Sequence, residues 1–173
     1  VAIVANNNTA AMIFKQTAVT PASNGGYDLG TSSLKFGDIY GVSSSARYAD
    51  LAENYLGDED YETGTVVVFG GEQEVTTTVA KGDRRIAGII SEKPAFKMND
   101  ELEGDHVATV ALQGRVPCKV IGRVQKGDML VTSAIPGYAI VDNDPKIGTV
   151  IGKAVGEKET EDRGTVEVVV GRV

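Results

Sequence analysis

The sequence predicts a mainly β protein: a compact multi-stranded β domain, sandwich or β-roll in type, preceded by a short β shaft segment. Three observations carry that prediction. Twenty-one glycines are spread over 173 residues, and each lets the chain turn through positive φ without steric cost. Valine and threonine, which suit a pleated, half-buried surface, are frequent throughout. Long Leu/Ala/Glu/Lys stretches with 3.6-residue spacing, the mark of surface helices, are missing. A chain of this length supports one well-buried core, or one core plus an appendage too short to bury itself.

The first part of the chain has the texture of such an appendage. Residues 1–42, rich in Asn, Thr, Ser and Gly, read as a shaft or trimerisation segment, and residues 43–173 as a C-terminal β domain. Residues 1–5 and 11–14 are short strand-like runs around a polar turn at 6–8, leading into the turn-rich stretch 21–26. Two short strands are marginal in water, so a third layer is expected from sister chains, giving an intertwined homotrimer. Next, Leu29, Leu34, Phe36, Ile39 and Tyr40 place large apolar groups on a piece too short for its own core. Over residues 44–56 the spacing predicts a short helix. Tyr48, Leu51, Ala52 and Tyr55 fall at i, i+3, i+4 and i+7 behind serine N-caps, with Asp50 and Glu53 on the polar side.

Beyond the acidic turn at 57–60, short apolar runs between Gly, Asp and Pro predict strands near 64–70, 73–80, 85–91, 106–113, 115–124, 129–133, 137–141, 147–155 and 164–171. The tripeptides Lys81-Gly82-Asp83 and Lys126-Gly127-Asp128 read as turns. Asp58, Asp60 and Glu62 alternate like calcium ligands, but Thr63 stands where the loop needs glycine and no bidentate glutamate follows. They are read as a solvated acidic loop. The six tyrosines, scattered among apolar neighbours, are read as packing groups rather than a sugar-stacking surface.

Composition narrows function. Seventeen basic against 24 acidic residues leave a net charge of −7 with no basic cluster, which argues against nucleic acid as a partner. The apolar runs at 65–69 and 86–90 are too short for a bilayer and the start lacks the pattern of a signal peptide, so no membrane insertion is expected. Cys118 is the single cysteine and His106 the single histidine, too few for a disulfide or a Cys-based zinc site. Cys118 is read as a small apolar strand residue and His106 as a strand-edge residue. No cofactor and no metal are expected.

Several motifs resemble phage fibre proteins. The run from Leu29 to Tyr40 is similar to a segment that leads from shaft to terminal domain in phage tail fibres. Ala49-Asp50-Leu51-Ala52-Glu53-Asn54-Tyr55 resembles the signature that opens the auto-processing intramolecular chaperone domain of phage tail spikes and neck appendages. Residues 86–95 and 110–116 resemble two further stretches of that family, in the same order. Residues 48–69 and 114–138 resemble C-terminal regions of marine and cyanobacterial phage tail-fibre-like proteins, and the likeness spans residues 27–173.

The resemblance implies a structural virion protein, exposed to the medium, in which the domain trimerises and caps a tail fibre and meets other virion or fibre proteins. It also implies an alternative, an autoproteolytic chaperone cleaved near Ser43 to Ser45. Ser45 would then supply the hydroxyl and Asp50 or Glu53 would accept its proton. Arg47-Tyr48 stands where self-cleaving members carry small residues, which favours a retained domain without enzymatic activity. Asp50 and Glu53 then become surface carboxylates or partners for Arg47. A third reading is a knob that binds a host surface receptor.

Overall fold

The computed structural model describes residues 2–5, 9–15, 17–25, 28–31, 33–38, 40–41 and 45–171. The chain divides into two units, Val1–Ser44 and Ser45–Val173. In the first, β1 (Ala2–Ala5), β2 (Thr9–Phe14) and β3 (Val19–Pro21) form an antiparallel sheet in that order. A third strand therefore comes from the same chain. Sequence reading missed it because Val-Thr-Pro runs straight into a turn, and proline is tolerated there because an edge strand can spare its donor. Further on, Thr31 and Leu34 close a turn: Thr31 N–H donates to the Leu34 carbonyl at 2.9 Å, and Leu34 N–H to Thr31 Oγ1 at 2.9 Å. Leu29, Leu34, Phe36 and Tyr40 all stand exposed, Leu34 at 76% and Tyr40 at 93%. Ile39 lies outside the described residues.

The second unit holds β4 (Asp50–Leu56), β5 (Val66–Phe69), β6 (Val75–Thr76), β7 (Ile86–Ile90), β8 (Phe96–Met98), β9 (Val107–Ile121), β10 (Met129–Thr132), β11 (Ala139–Val141), β12 (Val150–Ala154) and β13 (Arg163–Val170). The strands run β11-β10-β12-β13-β9-β7-β5-β6, and β11 also pairs with β9 through Ala139 and Val120, which closes β9, β13, β12, β10 and β11 into a barrel. Closure removes edges that would otherwise recruit another strand. β4 lies antiparallel on the first half of β9 and carries β8 in parallel on its outer side.

Why β5 and β7 are continuous apolar runs rather than alternating ones follows from where their neighbours point. Val66, Ile89 and Ala111 enter the barrel core with Val116, Cys118, Val120, Leu130, Ile151 and Val168. Their chain neighbours Val67, Ile90 and Val110 point the other way, into a second cluster under Tyr55 and Tyr61. Successive side chains of a strand face opposite sides. With a core on each side, every position is apolar.

The fifteen-residue strand β9 serves both cores because of one irregularity. Along β4 the register runs Leu51 to Gln113 and then Ala52 to Ala111, leaving Leu112 as an extra residue. Such a bulge flips the side-chain phase. Odd-numbered Ala111 and even-numbered Val116, Cys118 and Val120 thus all face the barrel core. Gly114, with φ of +107°, follows it, and a Cβ there would come within 2.1 Å of the Ala49 carbonyl oxygen. Only glycine admits that approach.

The mainly β class holds, and two element expectations do not. The helix predicted over 44–56 is absent, since Asp50–Leu56 is strand β4. Its inward residues are Asp50, Ala52 and Asn54, while Leu51 is exposed, so polar and apolar groups alternate in the reverse of the usual phase and imitate helical spacing. Pairing with β9 decides the conformation. Asn54 is accommodated inside because its Oδ1 accepts from Thr109 Oγ1 at 2.8 Å and its carbonyl from Asn99 Nδ2 at 3.0 Å. The separate strands expected at 106–113 and 115–124 are the single strand β9, since pairing continues through Gly114, opposite Asp50 and Val170. Both Lys-Gly-Asp tripeptides are turns, with Gly82 at φ +65° and Gly127 at +91°.

Candidate functional site

At the start of β4 the chain carries a buried acid. Asp50 is 5% exposed, and its Oδ2 is enclosed without a hydrogen-bond partner among the described residues. The backbone holds it in place: Ala95 N–H donates to the Asp50 carbonyl at 2.8 Å and Arg115 N–H to the Ala49 carbonyl at 3.1 Å. Asp50 lines a cleft of about 270 Å³ with Tyr48, Ser91, Lys93, Arg115 and Glu167 on its walls. Lys93 is bonded to Glu92 at 3.2 Å. Taking a carboxylate out of water without a donor costs several kcal/mol.

The other two residues named from sequence stand apart from it. Glu53 lies on the opposite face of β4 from Asp50, where its Oε2 accepts the Tyr55 hydroxyl at 2.8 Å. Burial and that carboxylate push the Tyr55 hydroxyl up to about 12. Ser45 is exposed in the segment before β4, and Ser43 and Ser44 lie outside the described residues. A strand alternates its side chains, so Asp50 and Glu53, three residues apart, do not share a side as they would on a helix. Arg115, Ser91 and Glu167 were not named from sequence. The one legible hint was Gly114 inside an apolar run, which signals a bulge or a close backbone approach.

Elsewhere three acids of the 58–62 loop each have their own partner. Asp58 Oδ1 accepts the Glu72 and Gln73 amides at 3.0 and 2.7 Å, Asp60 pairs with His106 Nδ1 at 2.9 Å, and Glu62 with Lys119 Nζ at 2.6 Å. The amides hold the Asp58 carboxyl below the usual range and Asp60 raises the His106 imidazole. Among the described residues no cluster of His, Cys, Asp and Glu could hold a metal ion. Cys118 is fully buried, and burial pushes its thiol far up, which makes it inert as a nucleophile.

No protein-family model matches the chain, and no curated protein matches it either. Among solved structures it is similar to the pre-mature form of bacteriophage phi29 gene product 12, with a TM-score of 0.57 at 14% identity. That match takes in 79% of this chain and only 23% of the phage protein's length. The C-terminal fragment of the same gene product matches with a TM-score of 0.51 at 15% identity, over 71% of this chain and 100% of the fragment. The fold is shared with that fragment. Identity this low carries fold and nothing further.

Proposed function

We propose that the protein is a structural component of a phage fibre or appendage, its barrel unit a terminal domain and residues 1–44 the segment through which three copies join. The single observation that carries this reading is the likeness to the whole C-terminal fragment of a phage gene product. The exposed apolar groups of the first unit support it, because Leu34, Phe36 and Tyr40 are costly to leave in water and the chain itself leaves them uncovered. Sedimentation equilibrium of the full chain at micromolar concentration tests it. A trimer is expected, and a folded monomer contradicts the reading.

A second reading, self-cleavage near Ser43 to Ser45, is favoured by one observation, the unpartnered buried carboxylate of Asp50 a few residues downstream. It predicts two fragments in an intact-mass spectrum of a freshly purified chain and one full-length mass for Asp50→Ala. A single full-length mass for the unsubstituted chain removes it.

A further inference from the structure

We infer that Asn24 is a site of spontaneous modification, where the side-chain amide is lost as ammonia to attack by the Gly25 backbone nitrogen and the residue becomes aspartate or isoaspartate. Asn24-Gly25 is the one asparagine–glycine pair in the sequence. It lies in the turn after β3, with both residues exposed. Among the described residues the Asn24 side chain has no hydrogen-bond partner and the Gly25 N–H no acceptor. Gly25 stands at φ of +66°, and the space that a side chain there would fill is open. Without a Cβ, nothing crowds the attacking nitrogen. The other described asparagines are held. Asn54 is 4% exposed and its Oδ1 accepts from Thr109 Oγ1 at 2.8 Å, while Asn99 Nδ2 donates to the Asn54 carbonyl at 3.0 Å. Asn143 accepts the Met129 amide and donates to Asp128, both at 2.9 Å, and the amide that follows it, Asp144 N–H, donates to Asp142 at 3.1 Å. Tyr55, Asp100 and Asp144 follow these three, so each neighbouring nitrogen carries a side chain beside it. Only at Asn24 do a free amide and an unhindered nitrogen meet.

The chemistry needs only water. Holding nucleophile and carbonyl on adjacent residues makes the attack intramolecular. Gly25 N bonds to Asn24 Cγ as its proton passes to Nδ2, the Cγ–Nδ2 bond breaks, ammonia leaves and a cyclic imide remains. Water then opens the imide. Breaking the bond from Gly25 N to Asn24 Cγ gives aspartate. Breaking the bond from Gly25 N to the Asn24 main-chain carbonyl carbon gives isoaspartate, whose backbone runs through the side chain. Either product adds one negative charge to residues 1–44, whose charges otherwise sum to zero.

The test is to incubate the full chain in mildly alkaline buffer, with and without urea, and to follow its tryptic peptides by mass spectrometry. Peptide 16–35, released by cleavage after Lys15 and Lys35, holds Asn24 as its only asparagine. In the folded chain Asn24 is expected to convert about tenfold or more faster than Asn54, Asn99 and Asn143. Both aspartate and isoaspartate are expected, the second marked by labelling with an isoaspartyl methyltransferase. Asn24→Gln, whose longer side chain closes a less favourable ring, is expected to abolish the conversion, and Gly25→Ala to slow it about tenfold or more. Both substitutions fall on exposed positions. Urea is expected to leave the Asn24 rate nearly unchanged, and a large acceleration there would show that the folded turn protects Asn24 and overturn the inference. Conversion of another asparagine as fast as Asn24, aspartate without isoaspartate, or a Gly25→Ala chain that converts at the unsubstituted rate would each overturn it as well.

Discussion

Residues 1–44 carry two lysines, Lys15 and Lys35, and two aspartates, Asp28 and Asp38, so they hold no net charge, while residues 45–173 hold the whole −7. Burial divides the same way. In the barrel unit, Val66, Ile89, Leu130 and Val168 are at or below 2% exposure, whereas Leu29, Leu34, Phe36 and Tyr40 of the first unit are each above half exposed. The barrel unit has buried a core of its own, although it too leaves Val79, Phe96 and Ile147 exposed at 71%, 61% and 94%, and its net charge repels its own copies. The other has apolar surface left and nothing to repel with. On the proposed trimeric reading, self-association belongs to residues 1–44 and the barrel is the part that stands by itself.

That contrast can be broken by substitutions ranked by their effect on barrel stability. Leu130→Ala removes a fully buried side chain from the barrel core and is expected to cost about 2–5 kcal/mol in urea denaturation. Gly114→Ala follows, at about 1–3 kcal/mol for forcing a side chain into positive φ, and against the Ala49 carbonyl. A thermal melt unchanged by Gly114→Ala would contradict the close approach of Gly114 to the Ala49 carbonyl.

The third effect is smaller and depends on pH. Asp60 raises the folded-state value of His106, so the pair's stabilisation is fully present below the unfolded value of about 6.5 and is lost as pH rises through the raised value. The melting temperature is expected to fall slightly across that window, and His106→Gln to flatten the slope. The smallest effect on the barrel is that of Leu34→Ser combined with Phe36→Ser. Barrel unfolding is expected to move by no more than about 0.5 kcal/mol while the proposed trimer weakens, and a barrel that loses stability would erase the distinction between the units.

How much of this was legible in the sequence depends on which side of a strand a residue faces. β5, β7 and β10 were readable as short apolar runs bounded by turn residues, and β13 because its buried and exposed residues alternate. β4 was misread because its buried face carries Asp50 and Asn54, and polar residues turned inward defeat any reading from hydrophobic spacing. The same inversion hid the site. Asp50 was named from a family signature as a proton acceptor beside Glu53, but its burial and empty Oδ2 depend on Ala95 and Arg115 anchoring the strand. β8 was missed because Phe96–Met98 has no pattern beyond its pairing with β4.

The claim that association resides in the neutral, apolar-exposed unit is tested most directly by sedimentation equilibrium of residues 1–173 beside residues 45–173 at the same micromolar concentration. The account predicts three times the 18.2 kDa chain mass for the full chain and a folded monomer for the barrel. A barrel that trimerises as tightly without residues 1–44, or a full chain that stays monomeric, would contradict it.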